Sequence, residues 1–246
     1  MADKKDSSLS GIRSVQNDGF ADMTGNRPTR SVASNDWDTN IMLKMGLTGG
    51  IASGKSAVAA MLREMGFPVL EADIVAHKLL EPGQAAHDEV LQEFGADLAD
   101  VQGKIDRSKL GAIVFGDPAK LGKLNRIIHP RVEEIVFRKF EEWRCSGVRD
   151  AGFVEAALLV EAGIAGKLDG LVVAFCRPEQ QLERLRARGM SEIEAKRRMA
   201  AQMTVEQKLQ HATERIDCSG TLQETRAQVR ELAAKLRKRA ASLGAG

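Results

Sequence analysis

Gly49, Gly54, Lys55 and Ser56 have the residue types and the spacing of a loop that binds phosphate groups. Gly49, Gly50 and Gly54 can adopt backbone angles that other residues avoid, so that successive N–H groups turn toward one anion. Lys55 can then reach the β- and γ-phosphates of a nucleoside triphosphate, and the Ser56 hydroxyl can bind a Mg²⁺ ion that bridges them. A glycine turn with no binding role is the plain alternative, but the strand and helix signals on either side favour the phosphate site.

Asp73 is the candidate for a catalytic base. It follows a short predicted strand at residues 67–70, and the carboxyl ends of strands form the ligand crevice in open α/β sheets. An aspartate beside the phosphates can accept the proton of an acceptor hydroxyl or orient that hydroxyl, as in kinases. Because Asp is also a favoured helix N-cap, it can instead cap a helix that begins at Ile74, and the spacing leaves both roles open.

Four further side chains are candidates by type. Arg107 and His129 stand in a long helical region, and Arg184 and Arg188 lie four residues apart on one face of another predicted helix. Gly189 joins that helix to a second basic helix, and such a pair can close over a nucleotide as a lid. For each of these residues a structural or solvent-exposed role is the alternative that the residues alone leave open.

The elements that must position these residues alternate between strands and helices. The apolar runs predict strands at residues 41–47, 67–70, 152–155, 170–175 and 214–217. A helical stretch at residues 74–145 is much longer than a crossover between strands needs. Within it, Asp117 caps a predicted helix and Pro130 is expected to start the next one. The pattern predicts an α/β fold in which a parallel sheet flanked by helices carries an inserted helical lobe.

The composition is that of an ordinary folded protein. Of 246 residues 43% are apolar and 28% are charged, with a net charge of +2, which gives no general reason to bind nucleic acid or an anionic membrane. The scattered histidines do not indicate a metal site. The cysteines are too widely spaced for a disulfide framework or a zinc site, so we expect reduced thiols in the cytoplasm. They are Cys145, Cys176 and Cys218.

Residues 1–40 are polar, and their few apolar residues follow no period. This composition predicts a disordered N-terminal extension without a secretory signal or a transit peptide. Met42 and Met45 both stand within the first predicted strand. One hypothesis is therefore that translation starts there and that the extension is dispensable.

Taken together, these motifs resemble those of the dephospho-coenzyme A kinase family, which is related in fold to the nucleoside monophosphate kinases. The resemblance covers about residues 43–240, and the ordered set of motifs is far more specific than the phosphate loop alone. The segments that carry it are GLTGGIASGKS at 46–56, EAD at 71–73, DRSKL at 106–110, VF at 114–115, IHP at 128–130, LLVE at 158–161, QLERLRAR at 181–188, RMAAQ at 198–202 and KL at 208–209.

The resemblance implies ATP-dependent phosphorylation of the ribose 3′-hydroxyl of dephospho-coenzyme A (dephospho-CoA), the final step of coenzyme A synthesis. It implies a cytoplasmic, Mg²⁺-dependent monomer whose partners are these small-molecule substrates, with neither nucleic acid nor membrane. The kinase domain would span residues 41–246. Its core would lie at 41–73, 150–176 and 213–241, its acceptor-binding lobe at about 74–145 and its lid at about 178–203.

The resemblance also implies roles for individual residues. The implied ATP-binding residues are Gly49, Gly50, Ile51, Ala52, Ser53, Gly54, Lys55, Ser56, Ala57, Arg184 and Arg188. The implied acceptor-binding residues are Asp73, Arg107, His129 and Glu161. Asp73 and Lys55 would be catalytic, and Ser56 would be the ligand of Mg²⁺.

The chain departs from the residues usual in this family at several positions. We expect Ala52 and Ala57 to be tolerated if their backbone angles are ordinary. We expect Glu71, which replaces Asp, to displace a hydrogen bond or a Mg²⁺ contact by about 1 Å. The remaining departures are Ala157, Thr213 and Cys218, of which the last two are expected near the nucleotide. Two alternative functions stay open: a P-loop kinase for another small acceptor, and a nucleotide-binding regulatory homologue with weak catalysis.

Overall fold

The computed structural model describes residues 41–114 and 116–245, and the predicted disorder of residues 1–40 falls outside this part of the chain. The described residues form a five-stranded parallel sheet with the strand order β2-β3-β1-β4-β5. The strands are β1 Leu43–Thr48, β2 Val69–Glu71, β3 Ala151–Glu155, β4 Gly170–Phe175 and β5 Glu214–Asp217. All the predicted strands are confirmed with small shifts at their ends, and β1 is the middle strand of the sheet.

Helices follow the strands in the order that a parallel sheet requires. They are α1 Lys55–Glu64, α2 Ala72–Lys78, α3 His87–Phe94, α4 Arg107–Val114, α5 Pro118–Cys145, α6 Pro178–Ala187, α7 Glu192–Ala200, α8 Val205–Leu209 and α9 Leu222–Gly244. Gly189 lies between α6 and α7 with a φ of 82°, so the predicted break of this helical pair is confirmed. Among the described residues, no helix combines the length and the apolar character that crossing a bilayer requires.

Apolar side chains pack on both faces of the sheet, because helices cover each side of its parallel strands. On one face Leu43, Met45 and Leu47 of β1 pack with α1 and α9. On the other face Leu171 and Val173 of β4 pack with the helices of the inserted lobe, α2 to α5. The lobe therefore shares a continuous core with the sheet, and this core holds the lobe beside the carboxyl edge of β2 and β3.

The helix that carries His129 differs from the prediction. Pro130 does not start a helix: α5 runs through it for 28 residues. A proline removes one backbone N–H and strains the preceding turn, but packing of the buried face offsets this cost. The guanidinium of Arg131 donates a hydrogen bond to the carbonyl of Ile127, next to the interruption. The buried residues that hold α5 in place are Ile127, Ile128, Val132, Val136 and Phe140.

Candidate functional site

A cavity of about 570 Å³ lies over the loop that joins β1 to α1, at the carboxyl edge of the sheet. Loop residues 50–57 line it, and Asp73, Arg184 and Arg188 stand on its walls. All the residues predicted to bind ATP therefore line one cavity, apart from Gly49 at the start of the loop. A volume of this size is typical of a small-molecule site.

The three loop glycines serve different purposes. Gly54 has a φ of 105° and is the residue before α1, so its freedom to adopt left-handed angles is used as predicted. Gly49 is needed for a close approach, since a Cβ there would lie 2.2 Å from the carbonyl oxygen of Ala174. Gly50 does not have a positive φ, and the prediction of special backbone angles is wrong for it. A Cβ on Gly50 would lie 2.6 Å from Nε2 of Gln181.

Ala52 has a strained backbone conformation. Its φ is 58°, and no other non-glycine residue in the described ranges has a positive φ. This conformation costs an L-residue about 1–2 kcal/mol. The carbonyl of Ala52 accepts a hydrogen bond from Nη1 of Arg184 at 3.1 Å. Ala52 was expected to be tolerated only if its backbone angles were ordinary, and they are not. Ala57 lies within α1 and does have ordinary angles.

Lys55 is paired with an acid that the sequence analysis did not select. Its Nζ lies 2.6 Å from Oε1 of Glu155, and the Ser56 hydroxyl lies 3.5 Å from the same oxygen. Glu155 is the last residue of β3 and pairs in register with Leu47 of β1. Both charged side chains are largely buried, with 14% exposed for Lys55 and 5% for Glu155. Part of the signal was present, because Glu155 ends a predicted strand and the carboxyl ends of strands form the ligand edge of the sheet. That this strand neighbours the loop strand was not evident from the sequence.

Asp73 lies in the first turn of α2 and lines the cavity over the loop. The helix begins at Ala72, and the residue at its N-cap position is Glu71, without a side-chain capping bond. The alternative that Asp73 caps a helix beginning at Ile74 is therefore wrong. Glu71 forms an ion pair with Arg63 of α1 at 2.7 Å instead, and its side chain is 40% exposed. It lines neither this cavity nor the acceptor-side cavity described next.

A second cavity of about 480 Å³ lies between α2, α4, α5 and the segment after β3. Its walls are mainly apolar, and Asp73, Arg107 and His129 are among its polar lining residues. Burial lowers the pKa of His129, so this imidazole is neutral at neutral pH. The structure thus brings together three of the four residues predicted for the acceptor side, all except Glu161. Asp73 lines both cavities and stands where they meet.

Arg184 is held beside the loop by hydrogen bonds to the loop and to neighbouring segments. Besides its bond to Ala52, its Nη2 donates to the carbonyl of Cys218 at 2.8 Å, and its Nη1 lies 3.4 Å from the sulfur of Cys176. Arg188 follows the end of α6 and also lines the cavity. The guanidinium groups of Arg184 and Arg188 therefore contribute positive charge at the wall beside the loop.

Cys218 and Thr213 differ from the residues usual in the family, and both were expected near the nucleotide. Only Cys218 lies beside the cavity over the loop, and burial raises the pKa of its thiol to about 11. The expectation is wrong for Thr213, whose hydroxyl donates to the carbonyl of Leu171 and accepts its N–H. Leu171 is near the start of β4, so Thr213 is at the opposite edge of the sheet.

Glu161 lies outside the lining of both cavities. Its carboxylate is 2.7 Å and 3.0 Å from Nζ of Lys208, a completely buried residue. It also accepts the N–H of Met203 at 3.1 Å, while Lys208 donates to the carbonyl of Ala157 at 2.6 Å. The structure therefore gives Glu161 partners within the protein, and its acceptor-binding role stays a prediction.

Comparison with known proteins shows that the chain is similar to dephospho-CoA kinases. A family model described as dephospho-CoA kinase matches residues 43–224. The chain is 44% identical over 186 residues to the dephospho-CoA kinase of Carboxydothermus hydrogenoformans, covering 75% of this chain and 90% of that relative. It is 40% identical over 188 residues to that of Geobacillus kaustophilus, covering 76% and 93%.

Two solved structures are similar in fold. The protein TT1252 from Thermus thermophilus gives a TM-score of 0.69 at 33% identity, covering 79% of this chain and 98% of the other. The dephospho-CoA kinase from Campylobacter jejuni gives a TM-score of 0.55 at 25% identity, covering 80% and 98%. The residues matched by the family model include the loop, helices α6 and α7, and nearly all residues that line the two cavities.

Proposed function

The chain belongs to the dephospho-CoA kinase family, and from this premise we propose that it transfers the γ-phosphoryl group of ATP to the ribose 3′-hydroxyl of dephospho-CoA. The product is coenzyme A. The observation that carries the proposal is the position of Asp73 on the walls of two adjoining cavities. One has the phosphate loop as its floor, and the other has the apolar walls that a long, flexible acceptor would contact.

The loop supplies the phosphate site in this proposal. The first N–H groups of α1 have no partners within the helix and carry the positive end of its dipole. Lys55 adds a positive charge where charge develops during transfer, which stabilises the transition state. The buried Ser53 hydroxyl lines the same cavity and has no hydrogen-bond partner in the described part of the chain. A phosphate oxygen would supply that partner.

The residues beside Lys55 suit a Mg²⁺ ion. Mg²⁺ prefers oxygen ligands and is usually held by one or two carboxylates together with substrate phosphates. The Ser56 hydroxyl and the Glu155 carboxylate are oxygen donors beside the loop, and no larger cluster of metal-ligating side chains occurs in the described ranges. We propose that Ser56 and Glu155 hold the ion that enters with the nucleotide. Once bound, it would neutralise charge on the β- and γ-phosphates.

Asp73 is proposed as the group that accepts the proton of the acceptor hydroxyl, or orients it for attack. Arg107 would bind acidic groups of the acceptor, and the neutral His129 would hydrogen-bond it without adding charge. Arg184 and Arg188 would stabilise the transferring phosphoryl group from the lid side. Glu161 is proposed to act on the acceptor indirectly, through Lys208 and the segment that follows β3.

We further propose the domain division implied by the sequence, with core, acceptor lobe and lid, and a cytoplasmic monomer. The exposed and unpaired thiol of Cys145 suits a reducing compartment. Large exposed apolar side chains such as Val101, Ile193 and Leu243 stand far apart in the chain, which suits a monomer. Light scattering on the purified protein tests the monomer.

The test of function uses purified protein, ATP, Mg²⁺ and dephospho-CoA, with the product identified by mass and by its phosphorus NMR spectrum. We expect a product with one added phosphoryl group at the 3′ position and none from the 3′-deoxy analogue. A nucleotide or a sugar acid as the preferred acceptor would show a different kinase. ATP binding without transfer to any acceptor would show a regulatory homologue.

A further inference from the structure

Two glutamine side chains hold both backbone polar groups of Ile51 in the phosphate loop. Oε1 of Gln202 accepts the N–H of Ile51 at 2.9 Å, and Nε2 of Gln181 donates to its carbonyl at 3.0 Å. Gln181 lies on α6, whereas Gln202 follows the end of α7. Helix α6 and the segment after α7 are therefore both bonded to a single residue of the loop.

The space for this contact depends on Gly50. A Cβ at that position would lie 2.6 Å from Nε2 of Gln181 and 3.9 Å from Oε1 of Gln202. Gly50 does not use a positive φ, so room for the amide of Gln181 is the structural reason for a glycine there. Gln181 is only 5% exposed, and a buried amide of this kind is costly to leave without its partner.

Gln202 is fixed on its other side as well. The next residue, Met203, donates its N–H to Glu161, and Glu161 pairs with the buried Lys208. The segment after α7 is thus bonded to the loop through Gln202 and to the segment after β3 through Met203. Because Gln202 follows α7 by two residues, we expect a movement of α7 to change the position of Gln202 and, through its hydrogen bond, that of Ile51.

We propose that Gln202 is a positioning residue that couples the lid to the phosphate loop by holding the N–H of Ile51. Gln181 holds the opposite side of the same residue and completes the clamp. The inference rests on the proposed function, because the loop that is positioned is the proposed ATP site. Ile51 and Gln202 also line the cavity over the loop, and the clamp leaves the N–H groups at the start of α1 for the phosphates.

The test compares Gln202→Met with Gln207→Met in the full chain. Methionine keeps the length of the side chain but cannot accept the hydrogen bond, and Gln207 is a matched control because it also accepts a backbone N–H, that of Thr204. We expect Gln202→Met to raise the KM for ATP about tenfold, the order of one lost hydrogen bond with its unsatisfied partner. The KM for dephospho-CoA and the thermal midpoint should change little, and Gln207→Met should match the wild type.

Hydrogen exchange of the Ile51 amide gives a readout that loss of stability elsewhere would not imitate. We expect this amide to be protected in the wild type and in Gln207→Met, and to exchange faster in Gln202→Met. A KM for ATP within twofold of the wild type in Gln202→Met would overturn the proposal. An unprotected Ile51 amide in the wild type would overturn it too, even if the variant does not fold. If the proposed function is wrong, the wild type will show no turnover, which is a separate result. In that case the affinity for ATP, measured by fluorescence titration, is compared between the wild type and Gln202→Met instead of KM.

Discussion

Nζ of Lys55 lies 2.6 Å from Oε1 of Glu155, although the two residues are 100 positions apart in the chain. The pairing arises because β1 and β3 are neighbouring parallel strands whose carboxyl ends meet at the same edge of the sheet. Glu155 therefore holds the ammonium group of Lys55 beside the cavity. We expect the lysine to exchange this partner for the phosphates when a nucleotide binds.

Substitution of Lys55 removes that charge. We expect Lys55→Ala to lower kcat by at least about a hundredfold, as removal of a transition-state donor commonly does. Steady-state kinetics with Lys120→Ala, an exposed lysine on α5, serves as the control. Near-normal turnover of Lys55→Ala would remove this lysine from the mechanism.

Substitution of Asp73 tests the proposed base against its neighbour. We expect Asp73→Asn to bind ATP normally and to lose about a hundredfold or more in kcat, because the amide cannot accept the proton. Glu71→Gln is the matched control, since Glu71 lies two residues earlier and pairs with Arg63 outside both cavities. An unchanged rate in Asp73→Asn, or an equal loss in both variants, would contradict the assignment.

Ala52 is a site where a smaller residue should stabilise the protein. We expect Ala52→Gly to raise the free energy of unfolding by about 0.5–1 kcal/mol, because glycine relieves the positive φ but loses more entropy on folding. Ala57→Gly, within α1, should lower it by a similar amount. Denaturant titration of both variants measures the difference. A loss of stability in Ala52→Gly as large as in Ala57→Gly would show that position 52 is unstrained.

His87 gives the stability of the helical lobe a dependence on pH. Its Nδ1 lies 2.7 Å from Asp88 and its Nε2 lies 2.7 Å from the carbonyl of Gly103. The hydrogen bond to Asp88, followed by that to Gly103, raises the pKa of His87 above 6.5. The protonated ring can donate both bonds, so its contribution to stability is complete below pH 6.5 and disappears as the pH rises through the raised pKa.

We therefore expect the stability difference between the wild type and His87→Gln to shrink from pH 6 to pH 8. Denaturant titrations at several pH values measure it, with His211→Gln as the control for an exposed histidine. A difference that is constant over this pH range would show that His87 does not titrate with folding.

Local patterns predicted much of this fold. The cap at Asp117 and the break at Gly189 depend on neighbours in the sequence, and both occur as expected. The phosphate loop was predictable for the same reason, since its spacing and its flanking elements are local.

Apart from the backbone angles of Gly50 and the start of α2, the errors concern contacts between distant segments. Pro130 remains inside a helix because the core packs against both sides of it, and Thr213 faces the start of β4 rather than the nucleotide. The ion pair of Lys55 with Glu155 depends on which strands are neighbours. The strand signals did not give that order.

The cysteines offer a practical advantage for spectroscopy. Cys176 and Cys218 are buried, whereas Cys145 is exposed at the end of α5, next to the start of β3. A maleimide dye should consequently attach to the native protein at one place, at the edge of the sheet opposite the loop. Fluorescence from such a label could follow domain motions during turnover without mutagenesis and without obstructing either substrate.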